Sequence, residues 1–74
     1  MENDVLEIVN LIREGKNLNK FDSLKESMSL REDLEFSSFD LAELTVRLEE
    51  IYDIDIFEDG LVETVGEVYS KLQK

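Results

Sequence analysis

The chain has 74 residues, a net charge of −11, and neither histidine nor cysteine. A chain this short forms one small domain spanning residues 1–74. It has no disulfide, no Cys/His zinc set, and no Ser-His or Cys-His pair for nucleophilic catalysis, so no enzymatic activity of its own is expected. Apolar packing must therefore hold the fold.

Val5, Ile8, Val9 and Ile12 recur at helical spacing and predict a first helix over 3–14. Asn3 is its expected cap, and Gly15 its expected left-handed terminator. A long loop follows, from Gly15 to Ser37. Within it, "SLKE" at 23–26 and "SLRE" at 29–32 match the capping box, and each offers the start of one helical turn. Phe21, Leu24, Met28, Leu30 and Leu34 are spaced to pin the loop to a core.

A second helix is predicted from Ser37 or Ser38 to about Tyr52. Leu41, Leu44, Leu48 and Ile51 form its core stripe. Phe39, Ala42 and Val46 lie on an adjacent side among Asp40, Glu43, Glu49 and Glu50. A surplus apolar side rimmed by acids reads as a docking surface. "SSFD" makes Ser37 the N-cap and Ser38 the first helical residue, near unpaired N–H groups that favour a phosphate. "DIDIF" at 53–57 has no second strand to pair with and is read as an extended link, followed by one short turn in "FEDGLV". Thr64 and Glu67 form a capping box for a last helix with Val65, Val68, Tyr69 and Leu72 inside. Gly66 weakens its first turn slightly. The expected class is all-α, a small bundle of three main helices.

Charge is concentrated. Residues 35–63 hold ten acids against one base, Arg47, for −9. Such a surface repels nucleic acid and anionic membrane and attracts basic partners. No apolar run is long enough for a membrane span. The acidic start "MENDVLEI" is unlike a signal or transit peptide, so the expected location is cytoplasmic. Asp53, Asp55, Glu58 and Asp59 stand near Gly60 but miss the register of a calcium loop, and no dedicated metal site is expected.

"LREDLEFSSFDLAELTVRLEEIYDIDI" resembles the signature of the acyl carrier protein family, in which Asp-Leu-Gly, a variable position and Asp-Ser-Leu-Asp precede an acidic helix. Asp33-Leu34 matches the first element, and Ser38 falls on the modified serine. Asp40, Glu43, Leu44, Leu48, Glu49, Glu50, Tyr52 and Ile56 follow in register, and "ETVGEVYSKL" is similar to the start of the family's last helix. The likeness covers the whole chain. There are departures: Glu35 for glycine, Ser37 for aspartate, Phe39 for leucine, and Phe57 for a frequent proline. The stretch between Ile56 and Thr64 is shorter than usual.

The resemblance implies a free-standing, monomeric carrier-like bundle whose third helix is short or reduced to a turn. It implies a 4′-phosphopantetheine arm on Ser38, installed by a phosphopantetheinyl transferase, that carries acyl or aminoacyl groups as thioesters. It further implies docking through Phe39, Asp40, Ala42, Glu43, Val46, Glu49 and Glu50 onto basic patches of acyl-transferring, condensing or ligase enzymes of fatty-acid, polyketide or other specialised lipid biosynthesis. Arg47 departs from the acidic pattern and is expected to discriminate among partners. Phe39 after the serine is also similar to D-alanyl carrier proteins. Two alternatives stand beside this reading: an unmodified interaction module that binds basic partners through helix 38–52, and a weak divalent-cation binder.

Overall fold

The computed structural model describes residues 1–73. Three helices, α1 (Glu2–Gly15), α2 (Ser38–Tyr52) and α3 (Val65–Leu72), make an all-helical globule, and the described residues contain no strand. One isolated antiparallel bridge joins Ser29 to Thr64.

α1 buries Val5, Ile8, Val9 and Ile12, the predicted stripe. Its ends differ from expectation. The helix begins one residue earlier, with Met1 at the cap and no side-chain cap bond, so Asn3 is not the cap. Gly15 is helical. The left-handed residue is Asn17, at φ 62°. The Asn17 N–H donates to Glu14 O and the Leu18 N–H to Arg13 O, the paired bonds of a Schellman motif with asparagine in the glycine position.

α2 runs over the predicted span. Leu41, Leu44 and Leu48 are buried, but Ile51 is 54% exposed. After Leu48 the buried row advances by four residues to Tyr52, which packs on the core, rather than by three to Ile51. The Tyr52 hydroxyl donates to Asp4 Oδ2 at 2.6 Å and ties the end of α2 to the start of α1. Asp53, at φ 57°, then turns the chain out of the helix.

α3 carries the predicted capping box of Thr64 and Glu67 and buries Val65, Val68, Tyr69 and Leu72. Its N-terminus is stitched to the long first connection. Leu30 N–H donates to Glu63 O, Val65 N–H to Met28 O, and Gly66 N–H to Glu26 O at 2.9 Å. A Cβ on Gly66 would stand 3.1 Å from both the Cβ and the carbonyl oxygen of Glu26. Close backbone approach therefore accounts for a glycine that helix propensity alone disfavours.

The connections complete the core. Leu30, Leu34, Phe36, Ile56 and Val62 are buried, with Phe21, Leu24 and Met28 packed against them. "SLKE" forms no helical turn. "SLRE" forms one, but its reciprocal carboxylate is Asp33, which accepts from the Ser29 N–H at 2.6 Å, rather than Glu32. Residues 56–59 form a turn, with Glu58 N–H donating to Asp55 O. In "DIDIF", Asp53 is left-handed, Ile54 and Asp55 carry no regular structure, and Ile56 and Phe57 belong to the turn, so the expected extended link is not formed.

Arg13 is buried, which its sequence context did not predict. Its Nε donates to Asn19 O and its Nη1 to Leu34 O at 2.7 Å, and the guanidinium lies 4.5 Å from the Phe21 ring centroid. A buried cation needs such partners, and here they gather both ends of the first connection onto α1.

Candidate attachment site and docking helix

The N-terminus of α2 is built by Ser37. Its backbone is extended, and its Oγ accepts from the Asp40 N–H while Asp40 Oδ2 accepts from the Ser37 N–H at 2.8 Å. These reciprocal bonds satisfy two donors and fix where the helix starts. Lys16 adds a third support. Its Nζ donates to Asp40 Oδ2 and to Glu35 O, each at 2.6 Å. Glu35 stands where the resemblance has glycine, and its φ is 59°. A left-handed non-glycine residue is strained, and the bond from Lys16 to its carbonyl helps hold it there.

Partial burial acts to raise the Asp40 pKa. The hydrogen bond from Lys16, those from Ser37 and the nearby ammonium charge act against it and leave the carboxyl below its ordinary value.

Ser38 is thereby released from capping. It is exposed, and its hydroxyl takes part in none of the side-chain hydrogen bonds of the cap. Beside it lies an open hollow of about 270 Å³ walled by Arg31, Leu41, Ala42, Thr45 and Phe57. A second hollow of about 400 Å³ shares Arg31, Leu41 and Phe57 as walls and is also lined by Ser29, Glu32, Leu61, Val62 and Glu63. Together they form a groove from Ser38 along α2 to the segment before α3.

The outer face of α2 has the mixed character expected from the sequence. Phe39 is 88% exposed and Val46 is 56% exposed. Ala42, Glu43, Glu49 and Glu50 are exposed around them. Asp40 stands apart from this set, because its carboxylate is already held by Ser37 and Lys16. Arg47 Nε donates to Glu43 Oε2 at 2.9 Å, a pair one helical turn apart that covers part of Glu43.

Sequence reasoning missed Lys16, Arg31 and Leu61. Arg31 lies inside "SLRE", where a local cap explained the motif completely. Leu61 is 83% exposed near the groove, and no periodicity marks it. Among the described residues, no group of three or more acidic side chains is arranged to hold a metal ion. Among the same residues, no helix is long and apolar enough to cross a membrane. No protein-family model, curated protein or solved structure matches the chain.

Proposed function

We propose that the chain is a carrier protein with the acyl-carrier-like arrangement of helices, modified on Ser38 by a phosphopantetheinyl transferase and working as a monomer in the cytoplasm. The observation that carries the reading is the division of labour between the two serines. Ser37 and Asp40 close the cap, which leaves Ser38 exposed at the first helical position with an uncommitted hydroxyl.

The surroundings fit the group. A phosphate on Ser38 meets the positive end of α2, and the adjacent groove offers apolar walls to whatever follows it. The left-handed backbone of Glu35, at the resemblance's glycine, supports the same register. When bound, 4′-phosphopantetheine supplies the thiol that this sequence lacks and holds acyl or aminoacyl cargo as a thioester. The chain's own residues set the attachment point and present the docking face. Phe39, Ala42 and Val46 are its apolar contacts, and Glu43, Glu49 and Glu50 steer basic partner enzymes.

Incubation with coenzyme A and a promiscuous transferase, followed by intact-mass measurement, tests the reading. Wild type and Ser37→Ala gain one phosphopantetheine, and Ser38→Ala gains none. Wild type left unmodified by several transferases refutes it. The exposure of Phe39 favours a second reading, an unmodified interaction module that uses the same helix face. That reading is what remains if the mass is unchanged and the chain still binds basic partners.

A further inference from the structure

The groove beside Ser38 is charged unevenly. In the hollow that Ser38 lines, Arg31 is the single charged wall. In the adjoining hollow, Glu32 and Glu63 join Arg31, while Leu41, Phe57, Leu61 and Val62 form the apolar walls. Among the described residues neither glutamate takes part in an ion pair. A chain anchored at residue 38 thus starts in a hollow whose one charged residue is Arg31 and adjoins an apolar-walled hollow that Glu32 and Glu63 also line.

Resting on the Ser38 reading, we propose that this groove selects cargo whose far end carries an ammonium group, an amino-terminated acyl or aminoacyl chain, over cargo ending in a carboxylate. Three features fix the order. The apolar walls accept the methylene body of any such chain. Glu32 and Glu63 attract an ammonium and repel a carboxylate; both are exposed, so each effect is of the modest, salt-screened size of surface charge interactions. Arg31 lines both hollows; it is the single charged residue of the one that Ser38 lines and is outnumbered by two glutamates in the other. A neutral chain gains the apolar term alone and falls between the two.

The test needs no transferase. The chain has no cysteine, so Ser38→Cys introduces a unique thiol at a position that caps nothing. Alkyl methanethiosulfonates of equal length, ending in methyl, ammonium or carboxylate, load it. The thiolate attacks the sulfenyl sulfur, methanesulfinate leaves, and a disulfide to the alkyl chain forms. The expected order of melting temperature is ammonium, then methyl, then carboxylate, with the ammonium chain about 2–4 °C above the methyl chain.

Glu32→Gln with Glu63→Gln removes the gap between ammonium and methyl. Glu49→Gln with Glu50→Gln, the same change of charge on the outer face of α2, leaves the gap in place. A methyl chain that equals or exceeds the ammonium chain overturns the proposal. So does a gap that the outer-face pair erases as fully as the groove pair, since the preference is then a property of the net charge. The intact-mass experiment on Ser38 stands apart, so failure of the modification and failure of the groove's selectivity are read separately.

Discussion

Lys16 Nζ sits 2.6 Å from Asp40 Oδ2, joining the end of α1 to the first turn of α2 across 24 positions of sequence. The same ammonium holds the carbonyl of Glu35. One surface lysine thus supports the cap, the left-handed turn before it and the placement of Ser38. Lys16→Met keeps the aliphatic stem and removes the charge. It is expected to cost about 0.5–1.5 kcal/mol in denaturant unfolding, within the range for one charge-assisted bond at a partly exposed site. The effect depends on pH. The folded pKa of Asp40 lies below its unfolded value, so its contribution is fully present above the unfolded pKa of about 3.9 and is lost as pH falls through the folded pKa. Acid titration of wild type against Lys16→Met should show the difference shrinking over that window. A constant difference down to the lowest pH counts against the bridge.

The two serines should separate cleanly in stability. Ser37→Ala removes the cap acceptor and is expected to cost about 0.5–2 kcal/mol. Ser38→Ala removes a hydroxyl that makes no bond in the cap, and is expected to stay within about 0.5 kcal/mol of wild type. Equal losses from both substitutions, measured by chemical denaturation, contradict the assignment of the cap to Ser37 alone.

Gly66→Ala opposes a local preference to a tertiary contact. Helix propensity favours alanine by up to about 1 kcal/mol. The added Cβ meets the Glu26 carbonyl oxygen at 3.1 Å, and that oxygen is pinned by the bond from the Gly66 N–H. Widening the gap stretches the bond that joins the first connection to α3. The expected result is a melting temperature at or below that of wild type; a clear rise means that the connection yields freely.

What the sequence revealed divides along the same line between local and tertiary causes. The spans of α2 and α3 were legible because each begins with a reciprocal cap written within four residues, Ser37 to Asp40 and Thr64 to Glu67. The inner stripes of α1 and α3 were legible for a similar reason, since periodicity is a local property. Ile51 was misassigned because the buried row of α2 shifts toward Tyr52, whose hydroxyl is held by Asp4 at the far end of the chain. "SLKE" had the letters of a cap, but the Glu26 carbonyl is committed to Gly66 instead of to a helical turn. At the candidate site the serines were visible, whereas Lys16 and Arg31 act through approaches from distant segments that no local pattern encodes. The groove charges followed only once residues 29–32 and 61–63 were brought together around Leu41 and Phe57.

Tyr52 gives an alkaline test of the α1–α2 contact. Its hydrogen bond to Asp4, helped by partial burial and the Asp4 charge, pushes its pKa up to about 12. A phenol whose folded pKa exceeds the unfolded value of about 10 contributes stability that is fully present below pH 10 and lost as pH rises toward 12. Wild type should lose on the order of 1–2 kcal/mol across that window, an amount reduced from the full linkage value because water reaches the ring's edge. Tyr52→Phe should be less stable near neutral pH and show a smaller loss between pH 10 and 12. Parallel curves for the two proteins exclude the bond.

The outer face of α2 allows apolar contact and charge steering to be tested apart. Phe39 is 88% exposed, so Phe39→Ala is expected to leave the fold within about 0.5 kcal/mol of wild type. If the chain is the proposed carrier and the ring is a central contact for its partner enzymes, loss of the ring lowers kcat/KM for transfer to or from it by roughly 10-fold, the effect of losing more than about 1 kcal/mol at an interface. That loss should persist at high salt, because it does not depend on charge. Glu49→Lys should behave differently. It slows association at low ionic strength, and its effect fades as salt shortens the screening length below the distance over which partners are steered. Glu43→Lys should add a local effect, since it also breaks the bond to Arg47 and places two cations one turn apart. A salt-independent defect in Glu49→Lys, or no defect in Phe39→Ala with any partner enzyme, moves the docking surface off this helix face.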